Sequence, residues 1–301
     1  MDLDKLMTEG RNPATQDIDR VSTLEIVERI NREDHLVAPA VAQVLPQAAR
    51  AVDWIAAAMG QGGRLFYLGA GSSGRLGILD ASECPPTYGT EPGLVQGLIA
   101  GGETAVFRAV EGAEDSPALA VSDLQARSLQ AADVVVGIAA SGRTPYVLGG
   151  LQFARRLGCK TVAVVCSPGS QMAAAAELTI CIETGPEVIM GSTRMKAGSA
   201  QKMLLNMLTT AVMIRRGKVY SNLMVDVQAT NQKLVERAKR IVVIATGVSR
   251  DQAATALDAA GGSAKTAIVM LLAGWPAATA KAALAATGGF VARAVQWQAD
   301  E

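Results

Sequence analysis

Two short loops carry most of the residues in this chain that can grip an anion. The first, Gly69-Ala-Gly-Ser-Ser-Gly-Arg75, follows the apolar run Leu65–Leu68 and precedes a segment patterned as a helix. The second, Ala140-Ser-Gly-Arg-Thr-Pro145, follows another apolar run, Val134–Ala139. A strand feeding a glycine- and hydroxyl-rich turn and then a helix is a ready anion site. Glycine lets the backbone approach closely, the first helical N–H groups lack partners, and the helix dipole favours negative charge. In this reading Gly71, Ser72 and Ser73 act from one loop and Ser141, Gly142 and Thr144 from the other. Pro145 suits the first turn of the helix that follows. Arg143 either pairs with the anion or is a solvated loop charge. For an isolated Ser or Thr an N-cap is the simpler reading. Two such loops in one unit favour a phosphorylated ligand held from two sides.

The first loop also satisfies the dinucleotide fingerprint G-x-G-x-x-G, which calls for an acidic residue at the end of the next strand to hold a ribose. That strand, Val95–Ala100, ends in Gly101-Gly102, with Glu103 only afterwards. A sugar phosphate therefore fits better than a dinucleotide or a purely structural turn.

Carboxylates stand near these loops. The segment Asp80-Ala-Ser-Glu83-Cys-Pro-Pro86 is expected to close the helix that begins at the first loop, with the two prolines ending it and holding Glu83 on a rigid corner. The dipole disfavours a carboxylate at a helix C-terminus, which would suit a general acid. Cys84 beside it reads as a buried thiol rather than a nucleophile, since no base is evident. Glu114 lies in the acidic turn Glu111-Gly-Ala-Glu-Asp-Ser-Pro117, where Asp115 or Ser116 can cap the next helix. Glu187, in Glu183-Thr-Gly-Pro-Glu187, falls at the same edge of the expected sheet. Ser192 and Thr193, with Arg194 and Lys196, open a long helix and offer a third place for a polar ligand, or a plain capped helix start.

Composition removes other chemistries. The single histidine, His35, lies in a helical N-terminal segment, so a Ser-His-Asp triad or a histidine zinc site would rest on it alone. Proton transfer near neutral pH falls to carboxylates, Cys, Lys or Tyr. The four cysteines lack paired metal spacing and suit buried thiols in a reducing compartment. With 28 basic and 28 acidic residues, nothing marks the chain for nucleic acid or an anionic membrane. No apolar run reaches the roughly 18–20 residues of a spanning helix, and the acidic start lacks a signal-peptide pattern. A cytoplasmic protein is expected.

Elements must position these residues. The first 60 residues read as helical, with Ser22-Thr-Leu-Glu25 as a capping box and Pro46 splitting the segment 37–59. Strands are expected at 64–69, 95–100, 133–139, 160–166 and 177–182, with helices near 73–82, 103–110, 116–130 and 145–157. Strands apolar on both faces, alternating with helices, predict an α/β fold with a doubly wound, mostly parallel five-stranded sheet. Ligands of such sheets sit beyond the strand carboxyl ends, at the topological switch point. Helices are expected at 193–216 and 225–244, then near 249–260, 264–272 and 276–286. The expected division is a helical N-terminal segment 1–58, a sugar-phosphate-binding domain 59–222 and a C-terminal helical domain 223–301.

GAGSSGRLGILDASECPPTYG, AASGRTPY and GPEVIMGSTRMKAGSAQKMLLNM together resemble the N-acetylmuramic acid 6-phosphate etherase family, of the sugar isomerase (SIS) fold group. TEGRNPATQDID and SNLMVDVQATNQKL match as well, so the likeness covers nearly the whole chain. Glucokinase regulatory proteins share the scaffold as binding proteins in longer chains. The resemblance implies cleavage of a D-lactyl ether during cell-wall sugar recycling, no metal or redox cofactor, a homodimer, and Glu83 and Glu114 as the catalytic pair. The alternatives are a sugar-phosphate isomerase and a non-catalytic sugar-phosphate-binding regulator.

Overall fold

The computed structural model describes residues 9–227 and 232–298. The chain divides into two units, one made of residues 1–82 with 93–209 and the other of 83–92 with 210–301.

In the first unit three helices precede the sheet: α1 (Thr23–Asp34), α2 (Val37–Ala42) and α3 (Leu45–Gly60). Pro46 does split the Ala-rich stretch, by taking the first turn of α3, where its missing N–H costs nothing. The capping box at Ser22 is only half made. Ser22 Oγ accepts the Glu25 amide, but the Glu25 carboxylate turns to Arg29.

The sheet then alternates with helices: β1 (Leu65–Gly69), α4 (Gly71–Tyr88), β2 (Val95–Ile99), α5 (Gly102–Phe107), α6 (Pro117–Ala126), β3 (Val134–Ile138), α7 (Pro145–Leu157), β4 (Lys160–Val165), α8 (Gln171–Ala175) and β5 (Leu178–Cys181). All pairings are parallel, in the order β2-β1-β3-β4-β5. The chain steps one way from β1 to β2 and the other way from β3 onwards, so the switch point lies between β1 and β3. β1 and β3 are wholly buried, as their near-continuous apolar sequences require. Phe66, Leu68, Val135, Val147, Leu151, Val165 and Met172 form the core over one face. The buried Asp133 fixes the entry to both central strands, pairing with Arg64 at 2.7 Å and accepting the amides of Arg64 and Gln130.

Two expectations about this unit need correction. The helix predicted to end at 82 continues to Tyr88 through Pro85 and Pro86. The prolines delete only their own two donations, and the i→i−4 pattern resumes with the Gly89 amide on the Pro85 carbonyl. The helix predicted over 103–110 stops at Phe107, where Arg108 turns to extended backbone at φ -147 and ψ 149, and the Arg75 guanidinium donates to the Val106 carbonyl in its last turn.

The long helix α9 (Lys196–Arg215) starts three residues later than predicted. In the second unit, α10 (Gln232–Thr246), α11 (Arg250–Ala259), α12 (Ala264–Ala273), α13 (Ala277–Ala286) and α14 (Val291–Ala294) build a bundle around Val242, Ile268, Val269 and Leu284. The helix expected from Val225 does not include residues 225–227, and α10 is described from Gln232. Residues 221–227 are non-helical, with a Tyr220–Leu223 bridge. Asp226 there is spent on Lys218 and Lys265. The remainder of that call, residues 228–231, lies outside the described residues. Among the described residues no single helix is long and apolar enough to cross a membrane; α11 and α12 pass together only as a pair bent by 111°, and both contribute to the bundle core.

Candidate functional site

Both hydroxyl loops emerge at the carboxyl ends of adjacent strands, since Gly69 is in register with Ile138. They therefore flank the switch point, where α/β sheets bind ligands. The first turn is compressed. The Gly74 amide donates to the Ala70 carbonyl at 3.2 Å, and a Cβ on Gly74 would stand 2.6 Å from Ile99 and 2.9 Å from the Gly69 carbonyl oxygen. Only glycine lets α4 start so close to β1, which brings its first amides to the strand end. Ser73 Oγ donates to Gln201 Oε1 of α9 at 2.9 Å, while Gln201 Nε2 is buried without a partner. Ser72 is half-buried beside it.

The second loop is held by Gly142, at φ +64, whose carbonyl accepts the Met172 amide at 3.0 Å. Thr144 occupies the N-cap position of α7, yet its hydroxyl makes no cap bond, so it stays available to a ligand. Ser141 and Arg143 are half-buried.

Three cavities open along this edge of the first unit. One, of about 350 Å³, is lined by Gly71, Arg75, Ala100, Glu111 and Glu114. It brings the first loop and Glu114 together. Glu114 is exposed on the 3-10 turn Ala113–Asp115, which follows Gly112. The hydroxyl that caps α6 is that of Ser116. A second cavity, of about 410 Å³, runs between α4 and the start of α9, past Ser72, Arg75, Arg194, Ser199 and Lys202. The third, of about 510 Å³, takes in Arg143, Pro145, Gln152 and Gln171. Gly71 and Arg143 thus line different cavities, although their loops are neighbours.

Other expected site residues have different surroundings. Glu187 is fully buried, and its carboxylate accepts the amides of Lys196 and Ala197, each at 2.9 Å. It is the cap of α9, a role that sequence spacing offered to Ser192 and Thr193. Those two sit half-buried in a turn before the helix, where the Thr193 carbonyl accepts the Gly198 amide. Glu83 is exposed and belongs to the second unit. It lies more than a turn inside α4, so a helix end no longer opposes its charge. Cys84 is buried.

Sequence reasoning did not find the partners of two cations. Arg75 was legible only as the last letter of the first loop, yet it borders two cavities. Lys196 is 1 % exposed and pairs with Glu33 at 2.5 Å. Nothing in a linear sequence marks that pair, because its members stand 163 residues apart.

Burial pushes the thiols of Cys159 and Cys181 up to about 11 and that of Cys166 up to about 12. These three are poor nucleophiles at neutral pH. Burial also raises Asp80, against the opposing hydrogen bonds from Tyr67 at 2.9 Å and Thr209 at 3.1 Å. Among the described residues no cluster of three His, Cys, Asp or Glu is arranged to hold a metal ion.

Residues 47–155 match the model of the glucokinase regulatory protein N-terminal SIS domain, and residues 114–211 that of the SIS domain. A phosphoheptose isomerase from Francisella tularensis shares the fold at a TM-score of 0.50 and 15% identity, over 64% of this chain and all of that one. A Bacteroides fragilis protein described as a phosphosugar isomerase involved in capsule formation does so at 0.51 and 19% identity, over 67% of this chain and 95% of its own. Much nearer in sequence are N-acetylmuramic acid 6-phosphate etherases. The Shigella flexneri enzyme is 60% identical over 97% of this chain and 98% of its own. N-acetylmuramic acid 6-phosphate etherase 1 of Vibrio cholerae is 57% identical over 98% of both chains. With identity of this order along nearly its full length, the chain belongs to the N-acetylmuramic acid 6-phosphate etherase family.

Proposed function

We propose that this protein is a carbon–oxygen lyase that removes the D-lactyl group from C3 of N-acetylmuramic acid 6-phosphate, giving N-acetylglucosamine 6-phosphate and D-lactate in peptidoglycan sugar recycling. Family membership supports the reaction. The observation that carries the site is the cavity in which the Gly71 turn and the Glu114 carboxylate meet at the ends of β1 and β2.

An ether oxygen is a poor leaving group in direct displacement, but elimination makes it tractable. With the sugar ring open, the C2 hydrogen lies alpha to the C1 aldehyde. A carboxylate removes that proton, the electron pair forms the C2–C3 double bond, and the C3–O bond breaks as a carboxylic acid protonates the lactyl oxygen. Water then adds at C3 of the unsaturated aldehyde and a proton returns to C2. The net change is one water consumed and one lactate released. Glu83 serves as the acid and Glu114 as the base and water activator. Each proton transfer contributes about 10²–10⁴-fold, and the phosphate grip of Gly71, Ser72, Ser73, Ser141, Gly142, Arg143 and Thr144 supplies positioning. Ser192 and Thr193 extend that polar edge, and Glu187 serves by fixing the start of α9. The protein acts in the cytoplasm as a homodimer, without a metal or redox cofactor.

The test is incubation with N-acetylmuramic acid 6-phosphate and an enzymatic assay for D-lactate. Glu114→Gln and Glu83→Gln are each expected to lose about 10²–10⁴-fold in turnover while retaining phosphate-sugar affinity. Binding without lactate release would favour a regulator; aldose–ketose interconversion without lactate would favour an isomerase.

A further inference from the structure

Arg75 lines the Glu114 cavity under conditions that structural stability does not explain. It is the fifth residue of α4, too near the helix N-terminus for the dipole to favour a cation. Among the described residues its one hydrogen bond runs from Nε to the neutral carbonyl of Val106, at 2.7 Å, and it makes no ion pair. That bond fixes the plane of the guanidinium while leaving both terminal nitrogens unspent. Among the cavity's lining residues it is the only cation, facing two carboxylates, Glu111 and Glu114.

The substrate assigned above has two anionic ends. One is the phosphate, which glycine-turn amides and hydroxyls suit. The other is the carboxylate of the lactyl group, borne on the oxygen that must leave. Entering a cavity already lined by two acids, that carboxylate is repelled unless a cation meets it. A planar fork with two free N–H edges is the group best shaped for a carboxylate.

We infer that Arg75 binds the lactyl carboxylate and thereby sets the preference for a carboxylate-bearing ether. The inference rests on the etherase reading and adds to it a specificity-determining residue. The residue borders the cavity of Arg194 and Lys202 as well.

The experiment compares two substrates, N-acetylmuramic acid 6-phosphate and its lactyl carboxamide, on wild type, Arg75→Met and Arg75→Lys. Wild type is expected to favour the acid by about 10²-fold in kcat/KM, the scale of a charge-assisted pair of hydrogen bonds. R75M should fall on the acid by a similar factor and treat the two substrates alike. R75K, keeping the charge without the fork, should retain about 10-fold preference. Inhibition by N-acetylglucosamine 6-phosphate, which lacks the carboxylate, should stay within about twofold in all three, a readout that a general loss of structure would move. An R75M that keeps the wild-type preference overturns the inference, as does a wild type indifferent to the amide. If R75M does not fold, R75K decides: full wild-type preference there overturns the role of the fork. Wild type releasing no lactate from either substrate overturns the etherase reading instead.

Discussion

Replacing Gly142 by alanine separates two costs that one glycine avoids. Its φ of +64 is left-handed, which costs an ordinary residue roughly 1–2 kcal/mol. The added methyl would also stand 2.3 Å from Ser170 Oγ, 2.4 Å from Ser170 Cβ and 3.0 Å from a Val165 methyl. Overpacking of that kind costs about 1–3 kcal/mol, so Gly142→Ala should destabilise the protein by about 2–5 kcal/mol. Ser170 is buried, and its hydroxyl has no hydrogen-bond partner. Removing it with Ser170→Gly therefore opens the space without stranding a donor. In the double variant the clash with Ser170 should vanish, leaving the left-handed cost and the tight approach to Val165. Urea denaturation of wild type, both single variants and the double variant gives the cycle, provided m is unchanged. The expected coupling is about 1–3 kcal/mol in favour of the double variant. A G142A protein within about 0.5 kcal/mol of wild type, or a coupling below that size, would refute the claim that Gly142 is held in place by its neighbours.

Lys196→Met should cost about 3–5 kcal/mol, because Glu33 is left charged and poorly solvated, and Glu33→Leu in the same chain should recover most of it; a loss under about 1 kcal/mol by denaturation would contradict this. Asp80→Asn tests the raised carboxyl. Burial lifts its folded-state pKa, so the ionised form weakens the fold at neutral pH and protonation relieves it as pH falls. The stability of D80N relative to wild type should decline as pH falls from neutral toward the ordinary carboxyl range; a relative stability that rises on acidification would refute the sign.

The sheet was legible because its strands are short, apolar on both faces and punctuated by glycine, a pattern that parallel sheets produce and few other structures do. The two loops were legible for the same reason. They are local, and the chemistry of a strand–turn–helix junction is written in consecutive residues. What failed was local propensity overruled by context. Proline usually ends a helix, but Pro85 and Pro86 fall so near its C-terminus that losing two donors leaves the rest intact. Ser192 and Thr193 look like caps, yet a carboxylate buried behind the helix start satisfies two amides at once. Arg75 was hidden differently. Its type was plain, but its placement depends on a carbonyl 31 residues away that fixes its guanidinium, in a cavity that Glu114 also lines.

The carboxylates at the end of the sheet illustrate how burial assigns roles to like residues. After β5 the chain runs irregularly to α9, and residues near the N-terminus hold it. Asn12 donates to the Pro186 carbonyl at 3.3 Å, Thr15 to that of Val188 at 2.8 Å, and Glu33 pairs with Lys196. Asn12 and Thr15 are themselves buried, so their bonds are shielded from water and fix the segment firmly. With its backbone pinned on both sides, Glu187 is enclosed, and a carboxylate enclosed without donors would be prohibitive. The two amides of α9 are those donors, and they leave it committed. Glu114 stands on a turn with no such strap, exposed beside the first loop. The proton exchange proposed above for Glu114 needs that freedom. The same N-terminal segment that seals Glu187 therefore separates a structural acid, bonded to two amides, from an exposed one beside the first loop.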